Sequence, residues 1–138
     1  MRRSVVAIVV GFVVIGVLSF GTDALVRSAW ASAFDASGRT ENLVVLLLTI
    51  AYVGVFAVAG CHLTACLAPD RPMRHALILG ALGLIFNVAG TVAMWGTAPA
   101  WYHVVSLLLV MPYAWLGGRL RERQLASRGP VRSVVSAA

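Results

Sequence analysis

Lysine is absent from this chain, and acidic residues are scarce: five Asp and Glu stand against eleven arginines in 138 residues. Charged side chains make up only 12% of the whole, where a soluble domain carries roughly 25%. Too few polar groups remain to cover a water-facing surface, which excludes most ordinary soluble folds. The 60% hydrophobic content excludes disorder, and the lack of any repeat period excludes collagen-like or low-complexity architecture. Cysteine is nearly missing too. Cys61 and Cys66 sit about 140° apart around a regular helix, badly placed for a mutual disulfide, and they report nothing about redox compartment. There is no glycine-rich phosphate loop, no G-x-S-x-G, no H-E-x-x-H, and no pair of carboxylates set for acid–base work. No enzymatic activity is expected, and no cofactor is implied. The lysine deficit itself is a compositional habit without mechanistic weight.

What the chain has is apolar length. Ser4 to Thr22 carries no charge and is long enough to cross a bilayer. Asn42 to Pro69 gives 28 residues free of Asp, Glu, Lys and Arg, about 42 Å as a helix. His75 to Gly118 gives 44 more, about 66 Å of helix, which must fold back on itself. Its breaker cluster is Gly96-Thr97-Ala98-Pro99-Ala100. Unpaired amides have no water to bind in a bilayer core, and these segments are too long for barrel strands, so the spans are helices. An all-α, antiparallel bundle of four transmembrane helices follows, over roughly 4–27, 42–67, 73–95 and 100–120. Residues 1–126 form the single membrane domain and 127–138 a disordered basic tail. The start Met1-Arg2-Arg3 with Ala29-Trp30-Ala31 resembles a cleavable signal peptide, but the apolar core is too long and Asp23 and Arg27 intervene. A retained first helix is expected.

Nine arginines (Arg2, Arg3, Arg71, Arg74, Arg119, Arg121, Arg123, Arg128 and Arg132) fall on one side of these spans, and two, Arg27 and Arg39, on the other. The bias places both termini in the cytoplasm. Trp30, Trp95, Trp101 and Tyr102 then mark the outer boundary, and Tyr113 and Trp115 the inner one. The basic segment from Arg119 meets anionic headgroups rather than nucleic acid.

Small residues let membrane helices approach closely. Gly83, Asn87, Gly90 and Thr91 share one face of the third helix, a narrow groove in which Asn87 is expected to donate an interhelical hydrogen bond, with a solute contact as the alternative. Gly11, Gly16 and Gly21 line the first helix, and Pro112 is expected to kink the fourth. Asp23 and Arg27 stand at i, i+4 and read as an interfacial ion pair. The apolar stretch Val9 to Val17 speaks against a multidrug exporter with a mid-helix carboxylate. His62, Cys66 and His75 are the one metal- or haem-ligand candidate set, although their spacing matches no strong signature. His103 reads as a membrane-boundary residue.

Leu67-Ala68-Pro69-Asp70-Arg71-Pro72-Met73-Arg74-His75-Ala76, with Trp101-Tyr102-His103 and Pro112-Tyr113-Ala114-Trp115-Leu116-Gly117-Gly118-Arg119-Leu120, resembles small four-helix bacterial integral membrane proteins of uncharacterised function. The resemblance runs from about Gly11 to Leu120 and implies a bacterial inner membrane, with no activity attached. Three functions stay open. The first is a non-enzymatic component packing with itself, as a homo-oligomer, or with a membrane partner. The others are an oligomeric small-solute transporter or channel, and a metal- or haem-binding redox protein.

Overall fold

Local capping chemistry decides where the apolar runs become helices. In a computed structural model of the chain, residues 2–127 are described. They form α1 (Arg2–Ala29), α2 (Leu43–Leu67), α3 (Pro72–Ala93) and α4 (Ala100–Ser127), with single 3-10 turns at Ala31–Ala33 and Trp95–Thr97. Asn42 caps α2, its side chain accepting from the N–H groups of Val44 and Val45 at 3.0 and 3.3 Å. At the other end of α2, Ala68 turns extended ahead of Pro69. Arg71 then adopts a left-handed conformation (φ 42°) and Pro72 opens α3, where a missing N–H costs nothing. α4 continues through Pro112 to Ser127, beyond the expected end near 120. The i, i+3 pair of Arg119 with Glu122, at 3.1 Å, bridges from the expected helix into that extra length. Of the tail expected over 127–138, Ser127 is instead the last residue of α4, and 128–138 lie outside the described residues.

All four helices are long and apolar enough to cross a membrane. Their outer surface is apolar as well: Phe20 is 78% exposed and Val92 74%. Water would penalise such a surface, whereas lipid does not. The chain is a small all-helical, multi-span membrane protein.

Backbone proximity, more than side-chain bulk, holds the bundle. A Cβ on Gly11 would stand 1.9 Å from Thr64 Oγ1 and 2.8 Å from the Gly60 carbonyl, so α1 and α2 touch along their main chains. Thr64, fully buried, donates its hydroxyl proton to the Ala7 carbonyl at 3.1 Å across the same contact. Gly117 lets α4 reach Cys61 and the Val58 carbonyl of α2, and Gly80 admits Ala114 between α3 and α4. Cys61, Ala65, Ala76, Leu79 and Ala114 form the buried core at these crossings.

The expected glycine faces are only partly used. Among the described residues nothing lies within 4 Å of a Cβ on Gly16, Gly21 or Gly90, and Gly83 meets only Val110 Cγ1 at 3.9 Å. The face of α3 carrying Asn87 is therefore no tight helix contact. Tyr113, expected at a membrane boundary, instead packs its ring on Gly54 of α2.

Candidate functional site

Where the helices do not close on one another, a partly open cavity of about 400 Å³ remains. Its floor is the apolar core, through Ile15, Cys61 and Leu79. Its rim belongs to the connections, through Phe34 and Thr40 of the α1–α2 loop and Thr97 and Ala98 of the α3–α4 turn. The two connections are tied together: the Thr40 N–H donates to the Thr97 carbonyl at 3.0 Å. Thr40 is itself buried, donates its hydroxyl proton to the Ala33 carbonyl at 2.8 Å and accepts from the Asn42 N–H at 3.2 Å.

Asp23, Arg27, Gly83, Asn87, Gly90 and Thr91, scattered over two helices in sequence, all line this one cavity. The missing side chains of Gly83 and Gly90 leave room for it, and Asn87 and Thr91 supply its polar wall on α3. Within the single chain, Asn87 makes no interhelical hydrogen bond among the described residues. Its partner is Thr91 one turn along the same helix, at 3.5 Å. The physical reason is the same vacancy: α4 touches this face only at Gly83, through Val110, and among the described residues nothing stands close to Gly90.

The Asp23–Arg27 ion pair is also replaced. Asp23 accepts a hydrogen bond from the Tyr52 hydroxyl of α2. Arg27 turns toward the loop, its guanidinium carbon 4.9 Å from the centre of the Phe34 ring, and it has no carboxylate partner among the described residues. An exposed i, i+4 pair is weak, so a phenol on one side and an aromatic face on the other outcompete it. Two opposite charges thus border the cavity without neutralising each other.

His103 is the residue that sequence reasoning misses. It is 6% exposed, lines the cavity, and its Nε2 is buried without a hydrogen-bond partner among the described residues. Trp95 stacks on its ring at 5.2 Å with planes 16° apart, and Tyr102 meets it edge-on at 5.7 Å. Only the turn after α3, folding Trp95 back over the first turn of α4, buries this imidazole. No local pattern signals that.

The metal candidates are not brought together. Cys66 Sγ lies 3.5 Å from His62 Nε2 on α2. His75, buried at the start of α3, sets Nδ1 3.3 Å from the Arg71 carbonyl, which occupies one ring nitrogen. Among the described residues no group of three His, Cys, Asp or Glu side chains could hold a metal ion. Cys61 faces Gly117, away from that pair.

The α1–α2 loop is ordered by one carboxylate. Asp35 Oδ1 accepts from the Ser37 hydroxyl at 2.6 Å, the Ser37 N–H at 2.8 Å and the Arg39 N–H at 2.9 Å. The Ser37 hydroxyl first, and then the Arg39 amide, hold its pKa below the ordinary carboxylate value. Gly38 takes the left-handed backbone this turn requires (φ 79°) and sits beside the Arg27 guanidinium at the rim. No protein-family model, no curated protein and no solved structure matches the chain.

Proposed function

We propose that this is a non-enzymatic protein of a bacterial inner membrane that binds a small solute in the cavity between its helices. One observation carries the reading. Two opposite charges that do not pair with each other, an amide and a hydroxyl line a single apolar-floored space. A cavity with a few polar groups in an otherwise apolar lining is the usual form of a small-molecule site.

In this reading the helices run antiparallel, with both termini cytoplasmic and the cavity facing the opposite side. Its support is the pairing of Ala7 with Thr64 and Gly11 with Gly60 near one end, and of Asp23 with Tyr52 near the other. The four residues from Ala68 to Arg71 reach at most about 14 Å, too little for α3 to start at the far end of α2. The nine-to-two arginine bias supports the orientation, and the arginines from Arg119 onward meet anionic lipid headgroups.

Thiol labelling tests the reading. In a background of Cys61→Ala and Cys66→Ala, Asn87→Cys reacts with a charged, membrane-impermeant methanethiosulfonate added from the non-cytoplasmic side. Ile85→Cys, two residues away at a position 66% exposed on the outer surface, stays unreacted, because a thiol in lipid does not ionise. An Asn87→Cys as inert as Ile85→Cys, in protein with an unchanged gel-filtration profile, overturns it. Transport is the second reading, favoured by the one-sided placement of the cavity above the glycine crossings. It requires Asn87→Cys to be labelled from the cytoplasmic side as well.

A further inference from the structure

Resting on the solute-binding reading, we propose that the cavity takes an amphiphilic zwitterion: an ammonium and an acid anion on a short spacer, with an apolar body behind them. Asp23 and Arg27 are one helical turn apart on α1 and both border the cavity. Neighbours at i, i+4 are separated by about 5–6 Å at Cβ, a spacing that the two charges of a small zwitterion can bridge. The protein does not bridge it. Asp23 keeps one carboxylate oxygen on the Tyr52 hydroxyl, leaving the other to accept from an ammonium. Arg27 rests on the Phe34 ring with its fork of donors unclaimed by any acid among the described residues.

The remaining lining divides by polarity. His103, stacked under Trp95, contributes to the wall on α4. Below the charges, Ile15 and Leu79 provide an apolar floor that a hydrocarbon body covers. A ligand with one charge would leave either the half-buried Asp23 or the exposed Arg27 without an ionic partner, whereas a zwitterion matches both. Two sources share this chemistry: a free apolar amino acid and the headgroup of an aminophospholipid.

Calorimetric titration of the wild-type protein in detergent separates them. The probes are L-phenylalanine, phenethylamine, which keeps only the ammonium, and 3-phenylpropionate, which keeps only the anion. The lipid arm is native mass spectrometry after exchange into dioleoylphosphatidylethanolamine or dioleoylphosphatidylcholine, whose quaternary ammonium cannot donate to Asp23. Expected is binding of the zwitterion at least tenfold tighter than either one-charge analogue, and a tenfold or greater loss in both Asp23→Asn and Arg27→Gln. Retention of phosphatidylethanolamine over phosphatidylcholine, without binding of L-phenylalanine, assigns the headgroup as the source. One-charge analogues that bind as tightly as the zwitterion, or no binding of either zwitterion, overturn the proposal. The underlying reading is separable. If a one-charge analogue protects Asn87→Cys from labelling while L-phenylalanine and phosphatidylethanolamine do not, the cavity stands and the zwitterion falls. An unlabelled Asn87→Cys removes both.

Discussion

At Gly11 a single methyl group decides whether two helices can touch. The Cβ of an alanine there would fall on Thr64 Oγ1 and against the Gly60 carbonyl, displacing the hydroxyl from its bond to Ala7. In a bilayer this close approach supplies the packing that the hydrophobic effect does not. Gly11→Ala is therefore expected to destabilise the bundle by about 1–3 kcal/mol, the usual range for overpacking. Gly16→Ala, with nothing near its Cβ, should shift stability by less than about 0.5 kcal/mol. Reversible unfolding in mixed micelles measures both, and equal effects at the two sites would sink the account. Sequence spacing treats Gly11, Gly16 and Gly21 alike. Which of the three meets a backbone depends on how α1 is rotated against α2, and no residue of α1 alone specifies that.

Among the elements, the α1–α2 loop is the most self-contained. Asp35 gathers Ser37 and Arg39 around one oxygen, and Thr40 ties the loop to the α3–α4 turn. Because the folded pKa of Asp35 is depressed, its contribution is complete above the ordinary carboxylate value and fades as pH falls through the lower, folded one. The Arg39 amide resonance is expected to titrate with a midpoint below 3.8. In Asp35→Asn that titration should vanish while Asn42 still caps α2. A midpoint at or above the ordinary value would mean that the carboxylate is not held as described. The helix starts at Asn42 and Pro72 are legible in sequence because capping involves residues within one turn. The partners of Asp23 are not legible. The i, i+4 rule nominates Arg27, but Tyr52 arrives from another helix and Phe34 from the loop, and both lie outside any local rule.

On the scale of the whole molecule, the proposed orientation rests on where arginine falls relative to the spans. With both termini cytoplasmic, as proposed, a fluorescent protein fused after Ala138 is expected to fluoresce and alkaline phosphatase fused at the same point to stay inactive. The reverse pattern would turn the cavity to face the cell interior and invert the labelling expected at Asn87. Membrane class, the number of spans and the arginine asymmetry rest on run length and charge, which are additive along the chain, and the sequence by itself determined them. The cavity rests on something else. Asp23, Asn87 and His103 come together because Gly11, Gly60, Gly80 and Gly117 pull the helices tight at one level, while Gly83 and Gly90 find no close neighbour at another. Glycine carries no side chain to say which of these it will do. The burial of His103 Nε2, with no hydrogen-bond partner among the described residues, is a property of three-dimensional enclosure, so only the tertiary structure decided it.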